Sequence, residues 1–472
     1  MNDMAIGPTD GTGLPSVANV RFEIEVEGTG GPWLVERVSL TEAVSEPLRG
    51  VVEARVAADP PLAAELLGKE LTLRIEREGQ LRVVRAIVRH ATTSSSLEDT
   101  RVTFHLVSSI WRLGLGIDTR TYLDVTIPEL VREVVRERLG GAVTVDVDGL
   151  TQTYRRHEML VQYQESPLAF LSRWMEQEGI FWFVAESDEG ERMVLADAME
   201  NLPLARASED GRVRHLGEWN AALEREAVSD LRHGESLGVT RVTLSELDWT
   251  RPSMPIRAER NAGGPLQPPG EIYDHSDAVT LHGFDGRQYT EDTAERGAQI
   301  RSEALALARH RWTMRSNVVT AAAGHVLRIE GAPEADLDGA YMIVRTDGEG
   351  RAHRDGVGTW SCSHVLVPTS MPYRPIPKTP RPIVPGPETA FVVGPAGQEI
   401  HTDLHGRVKV HFHWDRIRGR DEESSSCWVR VAQRWAGDGF GTFFLPRIGM
   451  EVVVDFLGGN PDRPIVTGCV HN

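Results

Sequence analysis

Hydrophobic and polar positions alternate along most of this chain, and the alternation is clearest from His401 onward. Val408, Val410 and Phe412 fall on one face of the run HGRVKVHFHWD, with Lys409 and His411 on the other. Val429 and Val431 repeat the pattern, and Val452, Val454 and Phe456 stand opposite Glu451, Val453 and Asp455. A period of two with one apolar face is what a half-buried antiparallel strand requires. Gly406, the acidic and serine-rich stretch 421–426, Gly437–Asp438–Gly439, Pro446–Gly449 and Gly458–Asn460–Pro461 lie between the runs and suit turns. About four to six short strands without helical periodicity predict a small barrel that closes on itself and so removes its edges.

Upstream, RFEIEV, WLVERVSL, GVVEARV, LTLRIE, LRVVRAIVRHA and RVTFHLV read as further strands, with a hairpin around Glu78–Gly79–Gln80. Leu62–Gly68 reads as a helical turn or two. Two stretches switch to helical spacing. From Pro128, Leu130, Val131, Val134, Val135 and Leu139 make one stripe that ends at Gly140. From Ser166–Pro167, Phe170, Leu171, Trp174 and Met175 share a face until Gly179. IFWFVAE then returns to strand character. Trp174 and Trp182 could form a ligand platform, but a stripe of this kind is core packing, and that reading is taken. Residues 201–235 are charged and weakly patterned. VTRVTLSELDW reads as a strand, PLQPPGEIYD as a loop, and 291–312 as a helix with Ala294, Ala298, Leu305 and Ala308 along one face. VVTAAAGHVLRIEGA, AYMIVRT and TWSCSHVLVP are strand-like.

Prolines at 368, 372, 375, 377, 380, 382, 385 and 387 resist both helix and central strand, which predicts a stiff extended spacer. The expected organisation is a flexible Gly/Pro-rich N-terminus (1–18), a large β-rich region with helical insertions (19–367), the proline-rich linker (368–387) and the small barrel (388–472).

Composition narrows the function. The 472 residues carry a net charge of −18, which argues against nonspecific nucleic-acid binding. Residues 401–472 hold nine Lys/Arg against nine Asp/Glu, so the surplus lies upstream. The small barrel thus lacks the basic groove with stacking aromatics that a nucleic-acid OB module uses. Three cysteines, Cys362, Cys427 and Cys469, make neither a disulfide framework nor a metal spacing. No early run has the features of a secretory signal, and no apolar run is long enough to span a bilayer. The expectation is synthesis in a reducing compartment, with any export by another route.

Candidate chemistry does not converge. His401, His405, His411 and His413 are the strongest metal-ligating set, because His411 and His413 share a strand face. They lack an assured third ligand, and Asp403 and Asp415 are near only in sequence. Glu165, Glu176 and Glu178 could be paired carboxylates, but their spacing on the second helix is poor for sharing a substrate. Cys427 beside Trp428 has no base partner and reads as packing. Phosphate-binding, zinc-protease, nucleophile-elbow and dinucleotide fingerprints are missing. No catalytic residue, cofactor or metal site is assigned, and the expectation is a non-enzyme.

The end of the chain is also familiar. DLHGRVKVHFHWDR, SCWVRVAQRWAG and GTFFLPRIGMEVVVDFLGGNPDRPIVTG closely resemble the VgrG family, the tip spikes of bacterial type VI secretion systems. That family is similar to the fused hub and spike proteins of contractile phage tails. Gly406, Asp415, Trp428, Ala432, Gly437, Gly441, Pro446, Gly449, Glu451, Val452, Phe456, Gly459, Pro464 and Gly468 match its barrel. LVQYQESPLAFLSRWMEQEGIFWFV resembles its hub segment through Gln162, Tyr163, Glu165, Phe170, Glu176, Gly179 and Ile180. Pro167, Trp174 and Trp182 depart from the usual residues there. The resemblance implies a mainly β fold: a hub of two β-barrel-like domains with inserted helices, then an OB-fold barrel. It implies a homotrimer capping the Hcp tube hexamer and meeting baseplate proteins. Beyond Asn472 it implies a β-helical needle that would carry effectors or adaptors and a PAAR-type tip protein. It implies assembly in the cytoplasm, secretion through the machine into a target cell, and only transient contact with the target membrane. A phage-tail hub and the carrier part of a spike with an enzymatic extension are the alternatives.

Overall fold

The computed structural model describes residues 19–472, apart from 31, 57–61, 96–99, 188–189, 208–210, 217–224, 248, 250–252, 254, 266–267, 269, 276–291, 354–356, 419–422 and 438. The N-terminal stretch read as flexible lies outside the described residues.

The strand-rich region forms two closed sheets that share a pair of long strands. In the first, Gly339–Ala352, Trp33–Ala43, Glu46–Val56, Thr100–Val107, Gln80–Ser95, Glu70–Arg77, Val20–Val26 and Val357–Pro368 follow one another, and the last pairs back onto the first. Alternation fills the interior with Phe22, Val38, Leu40, Val52, Leu71, Leu73, Ile75, Val102, Phe104, Leu106 and Trp360. The hairpin expected at Glu78–Gly79 is present, with both residues at positive φ (47° and 83°) between paired Arg77 and Gln80.

The second sheet uses the opposite ends of the same two long strands. Arg212–Arg214, Val326–Glu330, Gly339–Ala352, Val357–Pro368, His310–Ser316 and Val228–Glu235 pair in that order. A bridge between His215 and Val228 closes the ring, where the Leu216 N–H donates to the Val228 carbonyl over 2.9 Å. Its core gathers Val213, Leu231, Trp312, Met314, Leu327, Ile329, Tyr341, Ile343 and Leu366. Two barrels fused along shared strands are the expected hub architecture.

Both predicted helices form and pack together. Ile127–Leu139 starts from Thr126, whose hydroxyl accepts the Glu129 N–H while the Glu129 carboxylate accepts the Thr126 N–H. Pro167–Glu178 starts from a Ser166 cap and ends at Gly179, held at φ 71°. They bury Leu130, Val131, Val134, Phe170, Leu171, Trp174 and Met175 against the strands Asp118–Val125, Val143–Gly149, Phe181–Ser187 and Gly190–Ala196. Trp174 and Trp182 are each 1% exposed, so the core reading of both is correct.

Three expectations need correction. Of the run VVTAAAGHVLRIEGA, read as strand, only Val326–Glu330 is one, and 317–325 pass through turns. Glu271–His275, read as part of a loop, is a strand lying parallel to Arg241–Leu247, because backbone pairing there outweighs the preceding Pro-Pro-Gly signal. The helix expected over 291–312 stops at Ala308, and His310–Ser316 turns into a strand of the second barrel.

Glu191 holds the start of the short turn Ser109–Gly114, which leads from the strand Thr100–Val107 into the helical core. Its carboxylate accepts the Ser109 N–H at 2.6 and 2.9 Å, and burial raises its pKa to about 7. An acid with a raised folded pKa binds more protons folded than unfolded, so its contribution falls as pH rises from about 4.5 to about 7. Glu191→Gln keeps an acceptor for Ser109 and removes this titration. Its stability relative to wild type should therefore improve by about 1–3 kcal/mol between pH 5 and pH 8, measured by urea unfolding at both pH values.

Candidate functional site: the joint between hub and small barrel

The small barrel closes as its alternation predicts. Lys409–Phe412, Glu388–Val393, Glu451–Phe456, Pro464–Cys469 and Arg430–Val431 pair in order. Reciprocal hydrogen bonds between Val408 and Val429 (2.9 and 2.7 Å) seal the ring. Val408, Val410, Phe412, Val429, Val452, Val454 and Val466 fill it. Gly406 has φ 72°, in the left-handed region that favours glycine.

Three more side chains complete this core from outside. Met159, Val161 and Tyr163 project into it from the hub strand His157–Glu165, while Leu160 of the same strand joins the helical core. Every residue from Met159 to Tyr163 is buried. Among the described residues this strand has one ladder partner, Asp118–Val125. Its other edge must be satisfied by other means.

Side chains supply that edge. The Val161 N–H donates to Asp462 of the small barrel over 2.6 Å, and the Val161 carbonyl accepts from Arg173 over 2.9 Å. Arg173 also donates to Glu165 at 2.9–3.2 Å, and its guanidinium lies 3.8 Å from Asp462. Its cationic group sits 5.1 Å from the ring centres of both Phe170 and Trp174. All three charged side chains are at most 9% exposed. Burial pushes the Asp462 and Glu165 carboxyls upward, and Arg173 opposes that shift in both. Beside this network Tyr163 and Trp414 donate to the two oxygens of Glu388, each over 2.7 Å. Burial, then the Glu388 contact, pushes the Tyr163 hydroxyl up to about 12.

The proline-rich segment is fastened over the same helix. Glu176 accepts the Lys378 and Thr379 N–H groups at 3.0 Å each and the Thr379 hydroxyl at 2.8 Å. Arg374 donates to Glu303 over 2.7 Å and to the carbonyls of Gly179 and Asp197. Farther on, the Val384 N–H reaches the Gly459 carbonyl of the small barrel over 2.8 Å.

The candidate carboxylates thus go to separate tasks: Glu165 to Arg173, Glu176 to the proline-rich segment, and Glu178 to His157 (3.5 Å) and Arg296 (3.4 Å). The four histidines also diverge. His401 packs on Trp428 and His405 on Trp249, His411 meets the Arg418 carbonyl (3.0 Å), and His413 meets the Thr389 hydroxyl (2.8 Å). Asp403 and Asp415 accept turn N–H groups of 405/407 and 417/418, respectively. Cys427 packs against the barrel core, and burial raises its thiol to about 12. Sequence reasoning missed Arg173, Asp462 and Glu388, each of which needs a partner far away in the chain. Arg173 does stand inside the hub segment singled out by resemblance, which was the available signal.

Residues 41–353 match the phage tail baseplate hub (GPD) family, and residues 398–471 match the type VI secretion system/phage-baseplate injector OB domain. The chain belongs to the phage tail baseplate hub family. The resemblance to VgrG proteins holds within it. The chain is 35% identical over 433 residues to the Pseudomonas aeruginosa type VI secretion system spike protein VgrG1a, covering 88% of this chain and 64% of that protein. It is 30% identical over 478 residues to the Vibrio cholerae actin cross-linking toxin VgrG1, covering 97% of this chain and 42% of that one. The chain therefore spans roughly half the length of the curated relatives it matches. In fold it is similar to an E. coli component of the type VI secretion system described as resembling the T4 tail proteins gp27 and gp5 (TM-score 0.65, 19% identity). That match covers 95% of this hub chain and 100% of the other. It is also similar to a chain of the Francisella PdpA–VgrG complex (TM-score 0.57, 7% identity), with 96% and 78% covered.

Removing the Arg173 charge takes from the buried Glu165 its cation and from the buried Asp462 the stronger of two, Arg381 being the other. Arg173→Ala should destabilise the chain by about 3–5 kcal/mol. Asp462→Asn keeps an acceptor for Val161 and should cost less than about 1 kcal/mol. Denaturant unfolding of both variants checks this, and equal losses would contradict the network as drawn.

Proposed function

We propose that the chain is the hub and OB-barrel portion of a type VI secretion system tip spike, a part that bears load and carries out no catalysis. The observation that carries this reading is the pair of closed barrels sharing Gly339–Ala352 and Val357–Pro368. Three copies of a two-barrel unit would present six barrels around an axis, a match for a sixfold Hcp tube. In this reading 19–367 is the hub, 368–387 the tether and 388–472 the barrel that centres the needle. Baseplate proteins would meet the hub, while a PAAR-type tip and effectors or adaptors would ride beyond the barrel. The protein would assemble in the cytoplasm and leave through the machine itself. The spike names of the Pseudomonas relatives support this assignment.

Subunit contact has a candidate surface. Trp435, Phe440, Phe443 and Phe444 on the small barrel are each more than half exposed. An apolar cluster of this kind marks an interaction site, and obligate assemblies bury roughly 2,000–5,000 Å². A second reading, the hub of a contractile phage tail, is supported by the family description, which spans both systems. The toxin name of the Vibrio relative supports a third, in which this chain carries an effector domain.

Light scattering coupled to size exclusion should give a trimer, either stable or in concentration-dependent exchange with monomer. Phe443→Glu with Phe444→Glu should shift it to monomer without changing the circular dichroism spectrum. A stable dimer would exclude the ring. Retention on immobilised Hcp rings, set against phage tail-tube rings, separates the first two readings.

A further inference from the structure

The hub holds a second feature that its barrel-forming role does not use. Strands Val228–Glu235 and His310–Ser316 run antiparallel, with His233 opposite Trp312 and Glu235 opposite His310. Directly paired residues point to the same side of a sheet, so all four side chains share one face. Trp312 lies within the core of the second barrel, whereas His233 and Glu235 are exposed and His310 is half-buried. The three polar groups therefore sit where that inward face runs out of the core into solvent.

Their atoms converge. His233 Nε2 lies 3.2 Å from His310 Nδ1, and Glu235 Oε1 lies 3.7 Å from the same Nδ1. All three potential ligand atoms fall within 4.8 Å of one another. Two imidazole nitrogens on a tetrahedral zinc ion, with bonds of 2.0–2.1 Å, stand about 3.3 Å apart. Both rings are also stacked on Trp312, with centroid separations of 4.4 and 5.4 Å and planes within 7° and 22°. That stacking restricts ring rotation and holds the nitrogens facing each other before any ion arrives. Two ligands two apart on one strand and a third across the ladder need no loop rearrangement.

We propose that His233, His310 and Glu235 bind a divalent transition-metal ion of the zinc class, with water as the fourth ligand. Two imidazoles and a carboxylate favour zinc, nickel or copper over magnesium or calcium. The ion would cross-link the end of Val228–Glu235 to its neighbour. Among the described residues, the backbone pairing of that strand is the one ladder and the bridge at Val228.

The test uses the tag-free full chain. Zinc chloride is titrated by calorimetry, and cobalt(II) is followed by visible absorption for the bands of a tetrahedral nitrogen–oxygen site. One equivalent should bind at neutral pH. His233→Ala and His310→Ala should each weaken binding at least on the order of tenfold, and Glu235→Gln on the order of tenfold. His233 and Glu235 are exposed, so their variants should keep the wild-type circular dichroism spectrum. Another close imidazole pair, His90 and His105 with centroids 5.2 Å apart, is the control, and changing both to Ala should leave binding intact. Absence of stoichiometric binding at micromolar zinc overturns the proposal. So does binding that survives both His233→Ala and His310→Ala, or binding that is lost with His90 and His105 instead.

Discussion

One strand buried on both faces constrains the rest of this molecule. Met159, Val161 and Tyr163 complete the core of the small barrel, while Leu160 completes the helical core of the hub. Each such side chain contributes roughly 1.5–3 kcal/mol of apolar burial. The strand cannot shift by one residue, because a one-residue slip would exchange its two faces. Nor can the small barrel lift away without exposing an apolar patch and freeing the Val161 N–H from Asp462. Hub and barrel are one packed unit at this place.

The charged network makes sense only against that burial. A two-stranded ladder leaves an edge, and an edge inside a joint cannot be hydrated. Arg173 and Asp462 take the positions a third strand would occupy, with Glu165 holding the guanidinium in orientation. Glu176, three residues after Arg173 on the same helix, faces the proline-rich segment and accepts two of its N–H groups. A segment with eight prolines has few donors to offer. Those at Lys378, Thr379 and Val384 are anchored on the hub or the small barrel, so the tether is strapped down along its length.

Much of the fold was legible in the sequence because alternation reports directly on which side of a strand is buried. The runs at Val408–Phe412 and Val452–Phe456 placed the small barrel, and the stripes ending at Gly140 and Gly179 placed both helices. His157–Glu165 was not legible as a strand, since burial on both faces erases the period of two. Glu388–Val393 escaped the barrel pattern read from His401 because it lies between the prolines and the turn-prone Gly394–Pro395–Ala396–Gly397. Glu271–His275 was hidden by the Pro-Pro-Gly before it. The joint itself could not be read, because Arg173 meets Asp462, and Tyr163 meets Glu388, across gaps of more than 200 residues. Resemblance to a family pointed at the right segment, and the geometry explains why those residues stand there.

Native-state hydrogen exchange across a denaturant series tests the central claim most directly. If the strand His157–Glu165 fuses hub and barrel, amides of Glu451–Phe456 in the barrel and of Pro167–Glu178 in the hub should exchange through a common opening. Their free energies and denaturant slopes would then converge. A small barrel that opens at distinctly lower free energy, while the helix stays protected, would contradict the account.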